Sequence, residues 1–371
     1  MSATRIYQHD QPFRFRQGGE LPGLELAFET WGELDADAGN AVLVHTGLSP
    51  SAHAASCPED PEEGWWEFMV GPGKPIDTDR FFVICVNSLG SCKGSTGPAS
   101  INPATGEPWR TDFPILSLED IAAASQLVVK HLGIDRLCAL VGPSMGGMTA
   151  LAHLRQAPAA AKHFLSISSA ARAEPFSIAI RSLQREMVAT DPNWNDGHYT
   201  DQQWPENGMR LARKLGMVSY RSAIEWQDRF GRDQQSNYPE AWWGMRYEVE
   251  SYLEAAAQRF IGAFDPCSYL YLSSAMDRFD ASAGCDGGLT EALADTRLDS
   301  ALVIGVDTDV LFPARQQGEI AKNLRALGID TRLEMLPSPQ GHDAFLVDSD
   351  NFGSVVGGYF RAIARREQIG E

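Results

Sequence analysis

A chain of 371 residues, 43% hydrophobic and 22% charged, has an ordinary globular composition and is long enough for one α/β core with a second unit inserted in it. Its formal charge of −18 at pH 7 argues against nucleic acid or an anionic membrane as partner, and an anionic substrate would need cations gathered locally against that field. Six cysteines without a CxxC pair, a polar stretch over residues 1–19 and the lack of any apolar run of bilayer length describe a reduced, cytoplasmic protein with no metal site.

In chain order, residues 24–31 alternate well enough for a half-exposed strand. Residues 41–45 form a short apolar run ending in the loop His45-Thr46-Gly47-Leu48-Ser49-Pro50. Residues 81–87 predict a buried strand and 121–132 a helix. Next, Leu137-Cys138-Ala139-Leu140-Val141 predicts a strand that breaks into Gly142-Pro143-Ser144-Met145-Gly146. A helix-forming run over 148–156 and a strand over 163–168 follow. Cys85 and Cys138, inside apolar runs, read as small core residues. Strands alternating with helices, several apolar throughout, imply a mostly parallel sheet covered on both faces. From 171 to 299 tryptophan, arginine and methionine rise and the spacing turns helical, most clearly at 211–215 and 247–260. The α/β pattern then resumes with a strand over 301–306, a helix over 313–327, a strand over 331–336, a loop over 338–343 and a helix over 351–366. The expected layout is an α/β core over 1–170 and 300–371 with a helical lid over 171–299.

Strand, glycine turn, serine, helix is the context of a nucleophile elbow. Ser144 would sit in strained backbone with small residues two before and two after it, at the positive end of a helix. A serine hydroxyl reacts only when a base takes its proton and an acid orients the base. In this architecture acid and histidine follow the serine on later loops. Of eight histidines only His342 follows residue 299. His153 falls on the helix after the elbow, His9 in the tail, and His45 and His53 in a loop suited to shaping the pocket. The acid should follow the strand over 301–306, where Asp307 and Asp309 both qualify on spacing. Two backbone N–H groups should hold the oxyanion, one from Met145 and one from Gly47 or Leu48.

Beyond the serine pentapeptide, the chain carries Gly64-Trp65-Trp66, Gly71-Pro72-Gly73-Lys74-Pro75-Ile76-Asp77-Thr78 and Asn87-Ser88-Leu89-Gly90-Ser91-Cys92-Lys93-Gly94-Ser95-Thr96-Gly97-Pro98. Further on come Arg229-Phe230-Gly231-Arg232, Val249-Glu250-Ser251-Tyr252-Leu253 and Gly341-His342-Asp343-Ala344-Phe345-Leu346. With these, the sequence resembles the homoserine O-acyltransferases of the α/β-hydrolase fold over nearly its whole length. The resemblance implies that Asp309, in Asp-x-Leu-Phe-Pro, is the triad acid; Leu48 and Met145 are the expected oxyanion donors. The resemblance also implies that Arg232 holds an amino-acid carboxylate while Asp343 receives the α-ammonium. Two departures from the family pattern bear on substrate. The loop Gly47-Leu48-Ser49-Pro50 has one residue inserted and a proline for a glycine, and the elbow reads Gly-Pro-Ser where Gly-Gly-Ser is common. A reshaped, shorter acceptor pocket favours serine over homoserine, and the loop resembles the branch that O-succinylates L-serine for cysteine synthesis.

Some succinyl-using members carry an arginine where this chain has Leu311, which points toward acetyl unless another arginine substitutes; Arg185, four residues from Arg181, is the residue expected to do so. The expected activity is a ping-pong acyltransfer from succinyl-CoA to L-serine. It uses acyl-CoA as co-substrate, no bound cofactor, small-molecule partners and a homodimer paired through the lid. A homoserine O-acetyl- or O-succinyltransferase of methionine synthesis is the alternative, and an esterase or thioesterase a more remote one.

Overall fold

The apolar runs pair into one eight-stranded sheet. The computed structural model describes residues 3–236 and 241–370; residues 237–240 of the expected lid, and 1–2 and 371 at the ends of the expected core, lie outside the described residues. The strands are Arg5–His9 (β1), Leu24–Trp31 (β2), Ala41–His45 (β3), Phe82–Val86 (β4), Leu137–Pro143 (β5), Ala161–Ile167 (β6), Ser300–Val306 (β7) and Asp330–Leu336 (β8). Their order across the sheet is β1-β2-β4-β3-β5-β6-β7-β8. The pairs β1–β2 and β2–β4 are antiparallel and all the others parallel.

Parallel neighbours need long crossovers, which place helices over both faces and exclude water from the central strands. Every residue of β3, β4, β5 and β7 is accordingly buried. Successive side chains divide between two cores: Leu43, Ile84, Leu140 and Phe164 pack on one face, and Val42, Val83, Val141 and Leu165 on the other. Cys85 and Cys138 lie fully buried in the second core, as their surroundings predict.

Residues 1–19, read from their polarity as a tail, instead supply β1. Among the described residues it is the outermost strand, paired with β2 alone, from Arg5 against Phe28 to His9 against Leu24. An edge strand exposes most of its side chains, which removes the apolar signal that marks central strands.

The helices that position the site are Leu118–His131 (α1), Met145–Gln156 (α2), Pro175–Ala189 (α3), Glu206–Tyr220 (α4), Ala223–Phe230 (α5), Glu248–Gln258 (α6) and Pro266–Arg278 (α7). A reciprocal Ser117–Asp120 cap starts α1. Among the described residues, the chain between β6 and β7 holds helices and no strand of the sheet. It returns over the carboxyl ends of the parallel strands, where open α/β sheets place their chemistry. No helix among the described residues is long and apolar enough to cross a membrane.

Candidate active site

Between β5 and α2 the chain turns at Ser144, with φ 54° and ψ −123°. That region is unfavourable for any residue carrying a side chain and persists only when neighbours over-determine it. Here they do: the Ser144 N–H donates to Ile167 O at 2.8 Å, and Ser169 Oγ donates to Ser144 O at 2.7 Å. The flanking glycines are demanded by contact. A Cβ on Gly142 would stand 2.2 Å from Gly146 O, and one on Gly146 2.2 Å from His45 O. The helix therefore starts at Met145, three residues earlier than its side chains predict, because Gly146 and Gly147 are spent on close approach rather than on helix propensity.

Ser144 Oγ lies 2.8 Å from His342 Nε2, and His342 Nδ1 lies 2.8 Å from Asp309 Oδ2. Asp309 is buried in the turn after β7, where its other oxygen accepts the Leu311 and Phe312 N–H groups at 2.9 and 2.8 Å. Those bonds fix the carboxylate so that Oδ2 faces the imidazole. Asp307 is exposed, so burial and direction separate two acids that spacing leaves equivalent. The Phe312 ring stacks on His342 with centroids 4.9 Å apart, and Phe345 meets it edge-on at 5.7 Å. Burial pulls the His342 pKa down, but the Asp309 carboxylate outweighs it and holds the ring above the ordinary histidine value. Met145 opens α2, so its N–H has no acceptor within the helix, and Leu48 lies on the cavity wall beside Ser144.

Ser144 and His342 open into a cavity of about 160 Å³. One wall is Gly47, Leu48, Ser49, Pro50 and Trp65; Leu311, Phe345 and Leu346 add apolar surface; α3, α4 and α7 supply the charged and polar side. Arg213 stands on that side. Its guanidinium lies 4.6 Å from the Phe260 ring centre, its Nε is buried without a hydrogen-bond partner, and among the described residues it forms no ion pair within 4 Å. Asp343 also lines the cavity, paired with Arg221 Nε at 3.1 Å; burial raises its pKa, and Arg221 opposes that rise. Arg181 is buried on the same side and binds Asp277 at 2.5 Å.

Two expected arginines fall elsewhere. Arg232 is exposed beyond the end of α5, 3.3 Å from the Tyr247 hydroxyl and over its ring, outside the cavity lining. The lining thus includes Arg213 and Arg181 but not Arg232. Arg213 was missed because helix spacing alone makes it one of several cations on an amphipathic helix, and its only distinguishing feature is its lack of an acid. Arg185 stands behind Arg181 rather than on the lining, and holds the second oxygen of Asp277 at 2.7 Å. His45 and His53, expected to shape the pocket, both stand behind its lining rather than on it. His45 is buried beneath the elbow against His153, 3.2 Å between ring nitrogens, and His53 lies behind the wall against Glu29. Burial drives both pKa values of the first pair down, so that pair is neutral.

The helical insertion and the histidine loop share a seam. Ser222 Oγ donates to Pro339 O, and Gly341, at φ 65°, lies so close to the insertion that a Cβ there would come within 2.9 Å of Tyr220 O and Ser222 N. Arg221 bridges the same junction through Asp343 and, at 2.8 Å, Glu225.

A sequence profile of the alpha/beta hydrolase fold matches residues 40–349. The serine O-succinyltransferase of Stenotrophomonas maltophilia (strain K279a) is 57% identical over 365 residues, spanning 97% of this chain and 98% of that protein. The crystal structure of homoserine O-acetyltransferase from Bacillus anthracis superposes with a TM-score of 0.88 at 27% identity, covering 97% of this chain and 98% of that one. The chain belongs to the homoserine O-acyltransferase family of α/β hydrolases. That places the elbow, the sheet order and the residues of the resemblance in one family frame. Esterase E22 also superposes on this family member, with a TM-score of 0.87 at 27% identity over 96% of this chain and 99% of that one. The fold and elbow thus do not choose the acceptor; the charged side of the cavity has to.

Proposed function

We propose that the protein is an acyl-CoA-dependent serine O-acyltransferase that moves a succinyl group from succinyl-CoA to L-serine, in cysteine synthesis. The observation that carries this reading is a serine–histidine–aspartate chain opening on a cavity with an unpaired arginine, Arg213, and a carboxylate, Asp343. A zwitterionic acceptor needs one fixed charge of each sign, whereas water needs neither.

Ser144 attacks the thioester carbonyl carbon while His342 takes its proton and Asp309 stabilises the imidazolium. The Leu48 and Met145 N–H groups hold the oxyanion; it collapses, the C–S bond breaks, and CoA leaves as the thiol with the proton from His342. The acceptor then enters with its carboxylate on Arg213 and its ammonium on Asp343. His342 removes its hydroxyl proton, the alkoxide attacks the acyl carbon, and Ser144 is restored. The wall Gly47-Leu48-Ser49-Pro50 limits acceptor length. For the donor, Arg181, Arg185 and Arg278 gather around the single carboxylate of Asp277. That local excess of positive charge suits a succinyl carboxylate, with Arg185 supporting Arg181 at the lining and Leu311 leaving the space beside them apolar.

Six unpaired cysteines fit a reduced, cytoplasmic setting. Trp242 and Trp243, 89% and 73% exposed on the insertion, support a homodimer paired there. The test of the activity is CoA release in a two-by-two matrix of serine or homoserine against succinyl-CoA or acetyl-CoA. The best kcat/KM should fall on serine with succinyl-CoA. Equal CoA release with and without any amino acid would instead make the protein a thioesterase.

A further inference from the structure

Behind the acceptor-side wall, one ring is placed so that both of its nitrogens meet acceptors. His53 Nδ1 lies 2.8 Å from Glu29 Oε2, and His53 Nε2 lies 2.8 Å from the backbone oxygen of Glu62. A carbonyl has no proton to give. The Glu29 carboxylate is 1% exposed and its other oxygen already accepts from Thr4 Oγ1 at 2.6 Å. A neutral imidazole carries a single N–H and would leave one of these contacts lone pair against lone pair; an imidazolium satisfies both. The charged groups around the ring are all acidic: Glu29 from β2, and Asp60, Glu62 and Glu63 from the loop that closes over it.

What the ring joins matters more than its charge. The His53 N–H donates to Ser51 Oγ at 3.2 Å and its carbonyl accepts the Trp65 N–H at 3.2 Å, while Trp65 Nε1 donates to Ser51 O at 3.1 Å. Ser49, Pro50 and Trp65 face the catalytic cavity. Trp66, next in the chain, donates from Nε1 to Phe345 O at 2.9 Å, and Phe345 packs against His342. His53 thus ties both ends of the wall segment, near Ser51 and near Glu62, to Glu29 on the sheet. We propose that His53 is a positioning residue, held as an imidazolium, that fixes the acceptor-side wall of the cavity to strand β2. That this wall meets the acceptor rests on the acyltransfer reading; the state of the ring does not.

Two measurements on the full chain separate those claims. Ring-nitrogen NMR of histidine-labelled protein, with His53→Gln for assignment, should find both His53 nitrogens protonated at pH 7, losing a proton only above the ordinary histidine range. In kinetics, Glu29→Gln and His53→Gln should each raise the acceptor KM about tenfold, the effect of one lost charged hydrogen bond. Donor KM and the single-turnover burst of CoA should stay within about twofold. In the wild type, acceptor KM should climb through the same midpoint that NMR reports, and that climb should vanish in His53→Gln. A neutral ring at pH 7, or a proton residing on Glu29, overturns the proposal. So does equal loss on donor and acceptor in Glu29→Gln with its melting temperature unchanged. If His53→Gln does not fold, Glu29→Gln and the wild-type titration still decide. A wild type that shows the imidazolium but no acceptor-dependent turnover would sink the acyltransfer reading and, with it, the claim on the acceptor wall.

Discussion

The carboxylate of Asp309 lies 2.8 Å from Nδ1 of His342, anchored from behind by two backbone N–H groups. Asp307, two residues earlier, is exposed. Asp309→Asn should keep the fold and lower kcat by several orders of magnitude, because an amide there favours the wrong tautomer of the base. Asp307→Asn should leave kcat within about twofold, as surface substitutions generally do. Steady-state CoA release on the two variants checks the ranking, and the opposite order would mean the acid is misassigned.

The same carboxylate sets a pH limb. Burial lowers the His342 pKa, but Asp309 raises it more, so in the free enzyme the ring stays protonated to a pH above the ordinary histidine value. A general base must be neutral to accept a proton, so kcat/KM should rise with pH through that raised pKa. In the residual activity of Asp309→Asn the raising charge is gone and burial remains, so the limb should move to lower pH. A limb that stays put would assign it to another group.

Arg213 and Arg232 give opposite expectations. Arg213→Ala removes the cavity's unpaired cation and should raise the acceptor KM by roughly 10- to 150-fold, the range of a hydrogen bond to a charged group, with acylation by acyl-CoA little changed. Arg232→Ala, an exposed residue on a tyrosine ring, should change the acceptor KM by no more than about twofold. Acceptor saturation curves on both variants decide between them.

For the elbow, Gly146→Ala places a carbon against the His45 carbonyl, which belongs to backbone and cannot swing away. The melting temperature should fall by the equivalent of about 1–3 kcal/mol or more, the cost of overpacking a filled site. Ser144→Ala should fold normally and show no acyl-enzyme by mass spectrometry. An acylated peptide elsewhere in that variant would displace Ser144 as nucleophile.

The central strands and the elbow were legible because burial on both faces leaves unbroken apolar runs, and the turn at Ser144 tolerates only small neighbours. β1 was not, since an edge strand has one neighbour and a mostly wet surface. Family motifs separated Asp309 from Asp307, and burial supplies the reason. Charged side chains were read least well. Arg213, Arg181, Arg185 and Arg232 are alike in a sequence; among the described residues Arg181 and Arg185 share Asp277 from another helix, whereas Arg213 and Arg232 face aromatic rings and no acid.

The seam between the insertion and the histidine loop has a consequence for motion. Tyr220, Arg221 and Ser222 rest directly on Gly341 and Asp343, so a roof hinged there could not lift without withdrawing the base from Ser144. Moving the insertion and moving the base are thus a single motion, and the nucleophile keeps its partner only while the roof stays seated.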